Sequence, residues 1–180
     1  MEETLSPKNI VVEGKSAYNR GDFLAAARAF EAASQGYALT GDALNASEMS
    51  NNSSVAFLQA GDAQAALNCV EGTAETFAAA GDLRRQGMAL GNRAAALEAL
   101  GRVDEAMEAY QQSADVLQQA GEDQLRAFAM KSLSTLQLRT GRQMQAIATM
   151  QAGLEGVKHP SVQQRFLKRL LQIPFRFLNK

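Results

Sequence analysis

The sequence has no tryptophan, one cysteine and one histidine, and no proline lies between Pro7 and Pro160. A proline in a helix interior costs about 3 kcal/mol, so this long proline-free stretch is open to helix formation. The single cysteine excludes an intramolecular disulfide bond. The apolar residues are mostly alanine and leucine, and the β-branched residues that favour strands are sparse. These features predict an all-α fold.

Long apolar segments are also missing. No run of about 18 apolar residues occurs, so the sequence predicts no transmembrane helix. Residues 1–4 are acidic and lead into no apolar segment of the kind found in secretory signal peptides. We therefore expect a soluble cytoplasmic protein.

Basic residues are absent between Arg28 and Arg84. Residues 1–157 hold 12 Lys and Arg against 19 Asp and Glu, a net charge of −7, whereas residues 158–180 carry six basic residues and no acid. An acidic field over the central stretch disfavours nucleic acid as a partner. It favours a partner protein whose bound segment is neutral to basic.

Seven glycines recur at every twentieth position. They are Gly21, Gly41, Gly61, Gly81, Gly101, Gly121 and Gly141, and an aspartate follows each of the first four. Glycine closes a helix C-terminus in the left-handed conformation, and aspartate accepts hydrogen bonds from the free N–H groups of the next helix. This register predicts antiparallel helices joined by tight turns, in pairs that repeat at every second glycine.

The predicted helices fill the intervals between these turns. We expect them at residues 5–20, 23–40, 43–60, 63–80, 83–100, 103–120, 123–140 and 143–157, with a final helix at about 161–172.

Residues within these helix pairs resemble the tetratricopeptide repeat signature. The first pair supplies Gly14, Ala17, Gly21, Phe23, Ala26, Phe30 and Ala33, and the third supplies Ala94, Leu97, Gly101, Ala106, Tyr110 and Ser113. In that family, small residues stand where the two helices cross and an aromatic residue fills the gap to the next repeat. The fourth pair departs most from the pattern, at Gln137 and Gly153. The period of forty is typical of a long-helix variant, since the usual period is about 34.

The resemblance implies a right-handed α-α superhelix in one domain over residues 1–180. Its four repeats would lie at about 5–40, 43–80, 83–120 and 123–157, followed by a C-terminal capping helix within 158–180. The resemblance further implies a non-catalytic protein-interaction module, because the first helix of each repeat lines a concave groove that holds a partner peptide or helix.

The family's groove positions, carried over to this sequence, give a set of candidate contact residues. The set is Lys15, Tyr18, Asn19, Asn52, Val55, Gln59, Asn92, Glu98, Ser132, Thr135 and Arg139. Asn52, Asn92 and Ser132 recur once per repeat at the same register position, so their side chains should stack along the groove. An asparagine has both a donor and an acceptor for a peptide backbone. The alternative is that these amides only solvate an exposed helix face.

The C-terminal segment has two possible roles. Apolar residues recur at helical spacing within 161–172, which predicts the capping helix. Residues 173–180 are basic and carry two phenylalanines. This tail could touch an anionic membrane, or it could dock into the groove of a second copy and build a self-associating scaffold.

Nothing in the sequence predicts catalysis, a metal site or a cofactor. His159 has no partner carboxylate or cysteine, so it fits neither a typical zinc site nor a nucleophilic triad. Cys69 lies in a predicted helix interior and is expected to be a small core residue. The glycines are evenly spread rather than clustered, so they do not form a phosphate-binding loop.

Overall fold

The computed structural model describes residues 6–158 and 160–171, and each of its regular elements is a helix. In chain order these are α1 (Pro7–Asn19), α2 (Phe23–Leu39), α3 (Ala43–Gln59), α4 (Ala63–Val70), α5 (Thr73–Ala79), α6 (Leu83–Ala99), α7 (Val103–Gln119), α8 (Asp123–Arg139), α9 (Gln143–Glu155) and α10 (Val162–Leu171). Helices pack mainly against their neighbours along the chain, which confirms the predicted solenoid. Below, the first helices are α1, α3, α6 and α8, and the second helices are α2, α4 with α5, α7 and α9.

The glycine register produces the predicted turns. All seven of its glycines have positive φ, between 70° and 85°. At the third turn, the Gly61 N–H donates to the Leu58 carbonyl at 3.1 Å and the Asp62 N–H donates to the Phe57 carbonyl at 2.9 Å. This pair of bonds closes a helix C-terminus and needs a residue that tolerates positive φ. The regular glycines therefore fix where each helix ends.

Aspartate caps four helices in the N-terminal half of the chain. Its carboxylate accepts a hydrogen bond from the backbone N–H three residues later, at 2.9 to 3.2 Å, in each of four turns. These aspartates are Asp22, Asp42, Asp62 and Asp82. Arg102, Glu122 and Arg142 hold the same place later in the chain and make no such bond. The N-cap prediction is confirmed for the four aspartates.

The prediction of one continuous helix over 63–80 was wrong. Glu71 is extended, with φ −61° and ψ 129°, and Gly72 has φ +75°, so the segment forms α4 and α5. The Thr73 hydroxyl donates to the Val70 carbonyl at 2.8 Å and satisfies one acceptor freed by the break. Gly72 stands outside the regular glycine register, which is why the pattern did not reveal it.

The core depends on small residues where helices cross. Ala26, Ala66, Ala106 and Ala146 recur once per repeat in the second helices and are at most 1% exposed. Buried hydroxyls join neighbouring helices: Ser53 donates to the Ala27 carbonyl at 2.9 Å and Ser113 to the Gly87 carbonyl at 2.7 Å. Such bonds keep buried polar groups satisfied at close approach.

The ends differ slightly from the predicted bounds. Helix α1 begins at Pro7, where a proline needs no N–H partner, and α9 ends at Glu155, two residues earlier than expected. Helix α10 packs on α9 at the end of the array, as predicted for the last helix. None of the described helices is both long enough and apolar enough to cross a membrane.

Candidate partner-binding face

The predicted contact residues of the first two repeats come together around one cleft. This cleft has a volume of about 400 Å³ and lies between α1 and α3, with the ring of Phe30 from α2 in its lining. The predicted residues around it are Lys15, Tyr18, Asn19, Asn52 and Val55. Their side chains present one cation, two amides and apolar surface to the same space. We call the outward surface of α1, α3, α6 and α8 the first-helix face.

A second cleft continues this face to the third repeat. It has a volume of about 420 Å³ and lies between α3 and α6. Asn52 and Val55 line both clefts, and Asn92 and Met88 line the second. Asn52 and Asn92, which hold the same position in successive repeats, therefore contribute to one continuous surface.

The amide groups of this face have few partners within the chain. Asn52 Nδ2 lies 4.0 Å from Met49 Sδ, a weak contact. The side chains of Asn19 and Asn92 form no hydrogen bond to any other described residue. All three are exposed or half-buried, so their donors and acceptors remain open to a ligand.

Arg85 pairs with the acidic groups of the second cleft. Its guanidinium lies 3.0 Å from Glu48 Oε2 and 2.6 Å from Asp82 Oδ2, and it stacks 5.0 Å from the centre of the Phe77 ring. The backbone N–H and side chain of Arg85 hold the pKa of Asp82 below its ordinary value. The acids of the central stretch that reach this cleft are therefore already paired, and the cleft is not an open acidic site.

Predicted residues of the last two repeats form a separate polar cluster. Arg139 Nη1 lies 2.7 Å from Glu98 Oε1, and the Tyr110 hydroxyl donates to Glu98 Oε2 at 3.0 Å. Burial raises the pKa of Tyr110, the nearby charge of Glu98 adds to this, and a hydrogen bond with Ser132 opposes it. Glu98 and Arg139 thus satisfy each other, and a ligand must compete with their ion pair.

The remaining two predicted residues lie apart from the clefts. Gln59 is exposed at the end of α3. Thr135 is exposed on α8, and its hydroxyl donates to the Lys131 carbonyl at 2.9 Å. The structure therefore assembles six of the eleven predicted residues around the two clefts and places the others elsewhere along the solenoid.

Sequence reasoning missed the ion pairs that join successive repeats. Arg85 and Glu48 are 37 residues apart, and Arg139 and Glu98 are 41 apart. The pair Arg84–Glu122, at 3.0 Å, also links α6 to the turn before α8. Opposite charges about one repeat apart were the available signal. Exposed pairs of this kind are worth about 0–1 kcal/mol each, so they align helices more than they stabilise them.

Other candidate groups lie away from the first-helix face clefts. Cys69 is half-buried against the core formed by the first three repeats, burial raises the pKa of its thiol, and its Sγ lies 3.6 Å from Ser53 Oγ. A separate cleft beside the α4–α5 break is lined by Gly72 and shares no residue with the first-helix face clefts. His159 and the tail at 173–180 lie outside the described residues.

The comparisons with known proteins agree with this architecture. The sequence model of the tetratricopeptide repeat family matches residues 85–158. Among solved structures, the chain is similar to the apo form of RapI, with a TM-score of 0.78 and 14% sequence identity. This similarity covers 97% of the chain but 66% of that RapI chain, so the chain spans just under two thirds of RapI's length. At such low identity, the likeness shows the fold alone.

Comparison with curated proteins finds no match. Tetratricopeptide repeats generally serve as non-enzymatic protein-interaction modules. Residues 85–158 are thus similar to tetratricopeptide repeats, and glycine-marked helix pairs of the same kind precede them toward the N-terminus.

Proposed function

We propose that this chain is a non-catalytic protein-interaction module that holds a partner peptide or helix on the first-helix face. The observation that carries the proposal is the pair of clefts that share Asn52 and Val55. Amides without strong partners can bond an extended backbone, while Tyr18 and Val55 offer apolar contact. Amide and apolar groups side by side in this way are better suited to hold a peptide than to catalyse a reaction of a substrate.

The charge of the partner follows from the ion pairs. The expectation of a neutral-to-basic segment rested on the acidic central stretch. Because Glu48 and Asp82 both contact Arg85, the acids of the second cleft are largely neutralised. We therefore propose that the bound partner segment is neutral rather than basic. We also propose a cytoplasmic location for the complex.

A displayed library of random peptides tests this proposal, because selection on the intact chain supplies the ligand. The selected peptides are titrated against the double variant Asn52→Ala/Asn92→Ala. Each lost amide bond is worth about 1 kcal/mol, and about 1.4 kcal/mol is a tenfold change, so affinity should fall at least about tenfold.

The matched control changes two exposed amides of the second helices. Gln64 and Gln111 bond only to Asn68 and Asp115 one turn along their own helices. The variant Gln64→Ala/Gln111→Ala should bind the selected peptides like the intact chain. Equal affinity of the intact chain and the Asn52→Ala/Asn92→Ala variant would reject the proposed face.

A further inference from the structure

The second cleft of the first-helix face contains a buried amide group that the fold itself leaves unused. Asn51 lies on α3, is 8% exposed and lines this cleft between α3 and α6. Its Oδ1 lies 3.4 Å from the Thr73 hydroxyl, which donates to the Val70 carbonyl at the shorter distance of 2.8 Å. The Nδ2 group of Asn51 has no acceptor among the described residues. An amide donor is therefore open at the bottom of the cleft.

The other repeats show that packing does not require an amide at this place. The position of Asn51 is held by Val11, Gly91 and Lys131 in the other first helices. Val11 is partly buried and packs against the core of the first three repeats, so an apolar residue fits there. A buried donor without an acceptor lowers stability, and such groups are rare in folded proteins. The amide of Asn51 is thus unfavourable for the fold alone, and it is suited to a group that the chain does not supply.

An acceptor lies beside this donor. Glu48 stands three residues before Asn51 on the same side of α3 and lines the same cleft. Its Oε2 lies 3.0 Å from the Arg85 guanidinium, whereas its Oε1 has no hydrogen-bond partner among the described residues. A side-chain carboxamide has the complementary pair of groups, a carbonyl oxygen and an NH2 group on the same carbon. The two side chains together therefore match a glutamine or an asparagine of a ligand.

The rest of the cleft is suited to a neutral side chain with an apolar stem. Val55, Phe77 and Met88 contribute apolar surface to its lining. The charged residues of the lining are two acids and two arginines, so their formal charges cancel: Glu48, Asp82, Arg84 and Arg85. A carboxylate of a ligand would meet the unpaired oxygen of Glu48, and a purely apolar side chain would leave the buried amide without an acceptor.

We infer that the second cleft recognises a side-chain carboxamide, glutamine or asparagine, of the bound partner segment. Asn51 Nδ2 donates to the carbonyl oxygen of this side chain, and Glu48 Oε1 accepts from its NH2 group. Successive side chains of an extended segment point to opposite sides, so one residue can enter the cleft while Asn52 and Asn92 bond the backbone. This assignment rests on the proposed function and adds to it the side chain that the cleft selects.

The peptides selected on the intact chain from the displayed library are the probes. We expect them to share a glutamine or an asparagine at one position. Replacing that residue by methionine or by glutamate should weaken binding at least about tenfold. Methionine leaves the amide of Asn51 unpaired, and glutamate places a second carboxylate beside Glu48. Isothermal titration calorimetry measures each affinity.

Two variants of the chain test whether Asn51 causes this preference. Asn51→Val copies Val11 of the first repeat, and it should bind the glutamine and methionine forms of a selected peptide within about twofold of each other. Its melting temperature should equal or exceed that of the intact chain, because a buried donor without an acceptor is removed. Asn51→Asp has nearly the same shape but no donor, so it should bind a lysine form of the peptide more tightly than the glutamine form.

Two further variants serve as controls. Gln64→Ala/Gln111→Ala changes exposed amides of the second helices and should keep the full preference for the glutamine form. Glu48→Gln removes the carboxylate beside Asn51 and should bind the glutamate form of the peptide more tightly than the intact chain does.

Three results would overturn the carboxamide site while the first-helix face still stands. They are equal affinity of the intact chain for the glutamine and methionine forms, an unchanged preference in Asn51→Val, and selected peptides that share a lysine or an arginine at the position. A lower melting temperature of Asn51→Val would also overturn it, since the amide would then stabilise the fold. If no peptide is selected, or if Asn52→Ala/Asn92→Ala binds the peptides like the intact chain, the proposed function fails and the carboxamide site fails with it.

Discussion

The third and fourth repeats have the same turns but different cores. In the third, Leu97 is 1% exposed and packs with Ala94, Ala106 and Tyr110. In the fourth, Gln137 stands at the place of Leu97, and its Oε1 is buried without a hydrogen-bond partner among the described residues. The glycine register therefore gives the first helices, α6 and α8, the same length of 17 residues, while the core residues decide how well each pair is stabilised.

The second helices of these two repeats differ as well. Helix α7 has 17 residues, whereas α9 has 13 and ends at Glu155. Gly153 of α9 occupies the place of Ser113 of α7 and allows α9 to approach Met130 closely. Helix α9 buries three residues, whereas α7 buries seven, so the second helix of the fourth repeat has less core contact. We expect the fourth repeat to unfold before the third.

The largest expected effect comes from truncating a buried side chain in the core of the third repeat. Leu97→Ala should lower the free energy of unfolding by about 2–5 kcal/mol, because the buried side chain leaves a cavity. Urea denaturation measures the loss. Leu138→Ala is the control: Leu138 is 53% exposed, and its removal should change the free energy by less than about 0.5 kcal/mol. Similar losses for both variants would contradict the packing described for Leu97.

A substitution that improves the core of the fourth repeat should raise the free energy of unfolding. Gln137→Leu copies the third repeat and removes a buried acceptor without a partner, whose burial costs about 1–3 kcal/mol. The free energy of unfolding should rise by about that amount in urea denaturation. A loss of stability would mean that the Gln137 amide has a partner elsewhere in the chain.

A smaller effect is expected at the N-cap of the second helix, where the second repeat has Asp62 and the third has Arg102. Asp62→Ala removes the acceptor of the Ala65 N–H, whose bond is 2.9 Å long, and should cost about 0.5–2 kcal/mol. Asp62→Asn keeps an acceptor and should cost much less. If both variants melt at the same temperature, the cap does not stabilise α4.

The smallest effect is a dependence on pH. Hydrogen bonds lower the pKa of Asp42, through the side chain and N–H of Asn45, and of Asp82, through the N–H of Arg85. A carboxyl whose folded pKa lies below its ordinary value of 3.8 stabilises the fold above that pH, and this contribution is lost as the pH falls through the folded value.

Amide hydrogen exchange can locate this acid effect. Below about pH 4, protection should fall first around α3 and α6, which these aspartates cap, and later around α8 and α9, which have no aspartate cap. The variant Asp82→Asn should show a flatter pH dependence near α6. Uniform loss of protection along the chain would contradict the assignment.

The sequence was most informative where one residue type has one physical role. Glycine with positive φ and aspartate as N-cap predicted the seven turns and most helix bounds. Gly72 was missed because it breaks α4 from α5 outside the register. The clefts depend on Phe30 and Met88, whose place in the cleft lining follows from packing between helices rather than from local pattern.

The candidate site was predictable only in part, because contacts between repeats do not follow from the local sequence pattern. Because Asn52 and Asn92 hold equivalent positions in successive repeats, the sequence alone indicated that they share a surface, and both line the second cleft. The sequence could not show that Glu98 and Arg139 bind each other, since that contact depends on side-chain conformations in two repeats. Opposite charges 37 to 41 residues apart are a useful signal in such arrays, because they mark contacts between successive repeats.

Mapping a selected peptide onto the folded chain by NMR tests whether the first-helix face binds it. Chemical shifts of backbone and side-chain amides are followed as the peptide is added to the isotope-labelled protein. We expect the largest changes at Asn19, Asn52 and Asn92, with little change at Gln64 and Gln111. Changes centred on Gln64 and Gln111, with the three asparagines unaffected, would show that the peptide binds the second helices and would reject the first-helix face.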